Sequence, residues 1–124
     1  MDTPHDLAVV FSHPEAAREP LRRVLLEASD PARRSRAALV MGLLGFPEAG
    51  EHLLAELADC TWDEGWNFRG MGQFGQSMSA LDARIIALGR TRHPGASTVL
   101  VRQARLLGPD AAFSHCRALA LAAE

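Results

Sequence analysis

Met41-Gly42-Leu43-Leu44-Gly45-Phe46-Pro47-Glu48-Ala49 holds the end of one helical pattern, a stop, and the start of the next. Before it, Ala37, Val40, Met41 and Leu44 recur at helical spacing, and after it Ala49, Leu53, Leu54 and Leu57 do the same. Asp30 with Pro31 reads as the cap and first position of the earlier helix. Pro47 suits the first turn of the later one, because the N–H that proline lacks would have no helical partner there.

Working outward, the same short phrase occurs three times: His13-Pro14-Glu15-Ala16, Phe46-Pro47-Glu48-Ala49 and His93-Pro94-Gly95-Ala96, with the prolines 33 and then 47 residues apart. Each opens a helical pattern, the first through Ala17, Leu21, Val24, Leu25 and Ala28 and the third through Leu100, Val101, Ala104 and Leu107. Pro20 lies inside the first, where it kinks the helix or marks its true first turn. Asp82 heads the run Ile85, Ile86 and Leu88, and Asp110 opens one more helix. Gly42 and Gly89 stand 47 residues apart, and glycine inside a helix is costly enough that such a match predicts close packing against a neighbouring helix. Recurrence of this kind is the mark of an array.

The expected fold is therefore all-α: about six helices in antiparallel pairs, stacked as an α-solenoid (α–α superhelix) in which each pair contacts mainly its neighbours. The chain reads as one domain, 1–124, with units at about 5–29, 30–60 and 81–108, a partial unit at 109–124 and an inserted loop at 61–80. Leu7 to Phe11 matches only the end of a first helix, and Leu119 to Ala123 stops near the glycine position, so a piece of a longer protein is expected.

Through Asp30-Pro31-Ala32 to Ala49, and through Ala87-Leu88-Gly89 to Pro94-Gly95-Ala96, the chain resembles the HEAT-like repeats of the family first described in phycobilisome lyases. The resemblance implies the helix-pair architecture far more than it implies an activity.

With 13 basic and 15 acidic residues the net charge is −2, which supplies no global field for nucleic acid or an anionic membrane. No run is long enough for a membrane span, and Met1 to Val10 carries Asp2 and Asp6 where a secretory leader would be basic, so the expected location is cytoplasmic. Cys60 and Cys116 lack the closely spaced partners of a structural zinc site and read as free, buried thiols.

The 61–80 insertion gathers both tryptophans, Phe68, Phe74, Met71 and Met78 among several glycines. Ordering so long a loop costs more than its own apolar side chains return, so it needs helix surface, turns of its own or another domain to lie against. It is read as an interaction loop whose contact residues are Trp62, Trp66, Asn67, Phe68, Arg69, Gly70, Gly72, Gln73, Phe74, Gly75 and Gln76. Gly70-Met71-Gly72-Gln73-Phe74-Gly75 has the glycine spacing of a dinucleotide-binding turn, but the residues before it are not the buried strand that turn requires. The segments Gly65 to Gly75 and Ile86 to Arg90 are similar to a stretch in the C-terminal helical region of some bacterial FAD-dependent oxidoreductases. That similarity implies an accessory region whose FAD and redox chemistry belong to an attached domain, with no cofactor in this chain.

Other chemistry is weighed on the same residues. His5, His13, His52, His93 and His115 are scattered, and Glu51-His52 reverses the order of the paired motifs in iron-binding HEAT hydroxylases, so no metal site is assigned. Ser114-His115-Cys116 points three side chains in different directions from one helix and reads as helix surface, while adjacent Asp63 and Glu64 lack the burial that separates two carboxyl pKa values. No catalytic residue is assigned. Arg18, Arg22, Arg23, Arg33, Arg34 and Arg36 form a basic face that could hold phosphates, although the acidic stretch Glu48, Glu51, Glu56, Asp59, Asp63 and Glu64 stands ready to pair with it. The reading is a non-catalytic interaction or accessory domain that meets a protein partner or an adjoining domain and no membrane. An Arg-lined nucleic-acid module and a small HEAT-like lyase or chromophore-handling protein are the alternatives.

Overall fold

The computed structural model describes residues 13–64 and 79–124. They form α1 (Pro14–Glu27), α2 (Pro31–Leu43), a 3-10 turn (Pro47–Ala49), α3 (Gly50–Leu57), α4 (Ala80–Thr91), α5 (Ala96–Arg105) and α6 (Phe113–Ala122), with no strand among the described residues. The fold is all-α. The helix end expected at Leu7 to Phe11 lies outside the described residues.

Local chemistry fixes most of these boundaries. The Asp30 carboxylate accepts the Ala32 N–H at 3.0 Å and Pro31 takes the first helical position, as the sequence predicts. α4 starts two residues before Asp82, capped by Ser79, so Asp82 is the third residue of a capping box and not the cap itself. Pro14 opens α1, which continues through Pro20 without ending there. Pro94 lies in the turn before α5, whose first helical residue is Ala96. Asp110 likewise precedes its helix by a turn, since α6 begins at Phe113 behind Ala112.

α2 packs against α1 and α4, and α4 against α6, while α3 touches α2, α4 and α5. Position in this order decides what each helix must bury. Among the described helices α1 packs on α2 and buries a single stripe, Leu21 and Leu25. α4, held between α2 and α6, buries Ile85, Ile86, Ala87 and Leu88 in succession, which at 100° per residue covers its whole circumference. These residues join Met41, Phe46, Leu53 and Leu57 in one continuous core.

The two matched glycines sit where helices cross. A Cβ on Gly42 would lie 2.7 Å from both the Ala87 Cβ and the Leu53 Cδ1, and a Cβ on Gly89 would run into the backbone of Ala122 on α6. The stops match too. After α2, Gly45 adopts φ +84°, and the bonds Gly45 N–H to Gly42 C=O and Phe46 N–H to Met41 C=O complete a Schellman motif. After α4, Arg92 takes the same left-handed conformation at φ 59° without glycine's freedom.

Replacing Gly89 by Ala is therefore expected to destabilise the fold by about 1–3 kcal/mol, because the obstacle is backbone and cannot rotate aside. Arg92→Gly is expected to be neutral or stabilising, since a non-glycine residue in this conformation costs about 1–2 kcal/mol. Urea unfolding of the two variants checks both signs, and a Gly89→Ala protein as stable as the parent would contradict the close crossing.

Candidate functional site

The chain leaves α3 through residues that are fastened to α5. Fully buried Gln103 donates its Nε2–H to the Cys60 carbonyl at 3.0 Å, and Arg102 donates to the same carbonyl at 3.1 Å. Two residues on, the Trp62 indole N–H donates to the Gln103 backbone carbonyl at 2.8 Å. The Trp62 ring also lies against the His115 imidazole, with centroids 4.2 Å apart and planes tilted by 33°. Apolar area and a satisfied N–H together hold the indole in place.

Asp63 then ties the departing strand of chain to the returning one. Its Oδ1 accepts the Ser79 hydroxyl at 2.8 Å and its Oδ2 accepts the Leu81 N–H at 3.3 Å, where the start of α4 favours negative charge. Its backbone carbonyl faces His115 Nε2 at 2.9 Å. Residues 62–63 and the cap of α4 are thus closed into one base.

Asp82 lies beneath that base with no solvent exposure. Oδ2 accepts the Ser79 N–H at 2.9 Å, Oδ1 lies 2.5 Å from His115 Nδ1, and the Ser114 side chain bonds to the same carboxylate. Burial is the largest single influence and pushes the Asp82 carboxyl up. The bonds from Ser114, Ser79 and His115, with the attraction of the His115 ring, outweigh it and hold the carboxyl below its ordinary value.

Beside Trp62 and His115 a cleft of about 320 Å³ opens between residues 62–64 and the 106–112 connection, with Asp63, Glu64 and Asp110 among its lining. Of its polar lining, Asp63 and His115 are committed to partners within the fold. His115 Nε2 meets a backbone carbonyl and Ser114 binds the carboxylate, so the set does not align a nucleophile on a base. The Ser114-His115 pair is nonetheless not helix surface, as the sequence reading had it. Both residues are buried, at 1% and 3% exposure, because α6 turns this face onto α4. Cys60 and Cys116 are free, but Cys116 is exposed where a buried thiol was expected.

Of the expected contact residues, Trp62 is in this site. Trp66, Asn67, Phe68, Arg69, Gly70, Gly72, Gln73, Phe74, Gly75 and Gln76 lie outside the described residues. Part of the expected basic face is drawn into ion pairs. Arg18 forms a two-bond pair with Glu48 at 2.7 and 2.8 Å and covers the Phe46 ring, and Arg22 bonds Glu19 at 3.1 Å. Arg23 stands 4.0 Å from Glu27, Arg33 and Arg36 are exposed, and Arg34 is half-buried. The Arg18 hydrogen bonds also hold the Glu48 carboxyl below its ordinary value. Among the described residues no group of three His, Cys, Asp or Glu side chains converges as a metal ion would require. No described helix is long and apolar enough to cross a membrane.

Asp82, Gln103, Ser114 and His115 are the site residues that sequence reasoning missed. Only one signal pointed to them: Ser79-Ala80-Leu81-Asp82 has the serine and acidic residue of a capping box, which places Asp82 at the helix start.

A carboxyl held below its unfolded value contributes stability above the ordinary pKa of about 3.9 and loses it as pH falls through the lower folded value. Chemical unfolding at a series of acid pH values is expected to show stability falling on acidification, with a shallower fall in Asp82→Asn. Equal slopes in the two proteins would contradict the charged, bonded carboxylate. Asp82→Ala, which leaves His115 without its partner, is expected to cost about 3–5 kcal/mol at neutral pH.

No protein-family model, no curated protein and no solved structure matches this chain, so its functional reading rests on its own residues.

Proposed function

We propose that this chain is a HEAT-like α-solenoid module whose task is contact, with the 61–80 insertion as its contact surface toward a protein partner or an adjoining domain. Several pairs separated by 47 residues support the repeat reading. Gly42 and Gly89 each face the next helix of the series, and Gly45 and Arg92 each end a helix in the left-handed conformation. Arg90 donates to the carbonyl of Leu43, its own counterpart at the same spacing.

The observation that carries the contact reading is the closure of the insertion's base. Asp63 bonds Ser79 and Leu81, and Trp62 is held on α5 and α6, so the intervening residues start and finish at fixed, adjacent points. A loop presented from a rigid base loses less entropy on binding than one that starts free. Trp66, Phe68 and Phe74 give it the aromatic side chains that dominate protein interfaces. The similarity of Gly65 to Gly75 and Ile86 to Arg90 to a region of FAD-dependent oxidoreductases makes a flavoenzyme the favoured partner class, with FAD held in that partner or attached domain. The arginines favour nucleic acid less, because Arg18 and Arg22 are already bonded to carboxylates.

Immobilised chain and three variants, Trp66→Ala, Phe74→Ala and Arg33→Ala, would be exposed to extract of the source cell and the retained proteins identified. The expected outcome is a flavin-containing protein retained by the parent and by Arg33→Ala and weakened at least tenfold by either aromatic substitution. Retention that ignores the insertion, or DNA retention falling steeply with salt, would overturn the reading.

A further inference from the structure

His115 has an acceptor against each ring nitrogen. Asp82 Oδ1 lies 2.5 Å from Nδ1, and the Asp63 backbone carbonyl lies 2.9 Å from Nε2. A neutral imidazole carries one N–H and one lone pair, so it can donate to only one of them, whereas the doubly protonated ring donates to both. We propose that His115 is a protonation-controlled clasp, holding residues 62–64 on α6 while both ring nitrogens carry protons and releasing them when Nε2 gives its proton up.

The geometry decides which proton leaves. Nδ1 faces a carboxylate that is itself fully buried and bonded to Ser79 and Ser114, and removing its proton would set a lone pair against a negative charge in the core. Nε2 faces a neutral carbonyl on a segment with half-buried and exposed residues, which can move away. The titratable groups turned toward the ring from other elements are carboxylates: Asp82 from α4, Asp63 with Oδ1 at 3.8 Å from Nε2, and Glu64 and Asp110 across the cleft. On α5, the Arg102 guanidinium is directed at the Cys60 carbonyl. A second bond changes with the same proton. Trp62 lies against the ring, and a charged imidazole attracts the indole face where a neutral one does so only weakly.

Release therefore loosens Trp62 and the Asp63 carbonyl together, while the Asp63 side chain keeps its bonds to Ser79 and Leu81. The inference rests on described residues alone and does not depend on what the insertion binds.

Trp62 is its own reporter, because a protonated imidazole stacked on an indole quenches fluorescence more than a neutral one. With Trp66→Phe in the background, fluorescence would be followed over roughly pH 5 to 8. The expected result is one rise in intensity with increasing pH, fitted by a single proton and absent in His115→Gln, with the helical circular dichroism unchanged. Nitrogen NMR of the unsubstituted ring gives an independent reading should His115→Gln fail to fold. Protons on both nitrogens at the acid end, and on Nδ1 alone at the other, are expected. Flat fluorescence in a folded protein, a step that survives in a folded His115→Gln, or a single-proton ring throughout would each overturn the clasp.

Discussion

A carboxylate without solvent must have its charge answered by neighbours, and Asp82 imposes that demand where α4, α6 and the 61–64 segment meet. Ser79 answers from the helix cap, Ser114 and His115 from α6, and through His115 the demand reaches Asp63 and Trp62. The Ser79 bond is local to the helix cap, but Ser114 and His115 come from α6 and Asp63 and Trp62 from the segment after α3, so their bonds form together only when α6 docks on α4. The same network thereby sets the register of α6 and anchors residues 62 and 63.

Packing and polar bonding act at opposite ends of the same helix. At its N-terminal end α4 is fixed by Asp82, and near its C-terminal end Gly89 lets the backbone of Ala122 approach. Buried apolar residues between them supply most of the adhesion but little of the specificity, because leucine and isoleucine tolerate rearranged packing. A glycine crossing and a bonded carboxylate tolerate neither sliding nor rotation. Their placement near the two ends of α4 gives its contact with α6 one arrangement.

Much of this was legible in the sequence where the signal is local. The cap at Asp30 follows from the adjacent proline, and the close crossings at Gly42 and Gly89 follow from a repeat that the sequence itself carries. Ile85, Ile86 and Leu88 read as a helical pattern, and the structure shows the run from Ile85 to Leu88 buried throughout. The site was far less legible, because its bonds span long separations: Trp62 to Gln103, Asp63 to His115 and Asp82 to His115. No periodicity records such contacts. Ser114 and His115 misled for the same reason, since a polar pair on a helix looks solvent-facing until the helix opposite is known to carry a buried acid. Trp62 was singled out for its aromatic ring as a contact residue, and the structure lays that ring on His115 and Gln103 of the same chain.

His93 and His115 show how far the partner, and not the residue type, decides a histidine's role. His93 Nδ1 accepts the Gly95 N–H at 2.9 Å, which leaves the proton on Nε2 to donate to Glu51 at 2.6 Å. One proton satisfies that ring completely, and it serves as a fixed part of the turn before α5. His115 meets acceptors on both sides and is complete only with two. The difference also bears on chemistry. A general base needs a free nitrogen facing its substrate, and Nε2 is free only when the Asp63 carbonyl has moved off. Acting as a base at the cleft and holding the 62–64 segment in place are therefore mutually exclusive states of one ring, and the arrangement found here is the holding one.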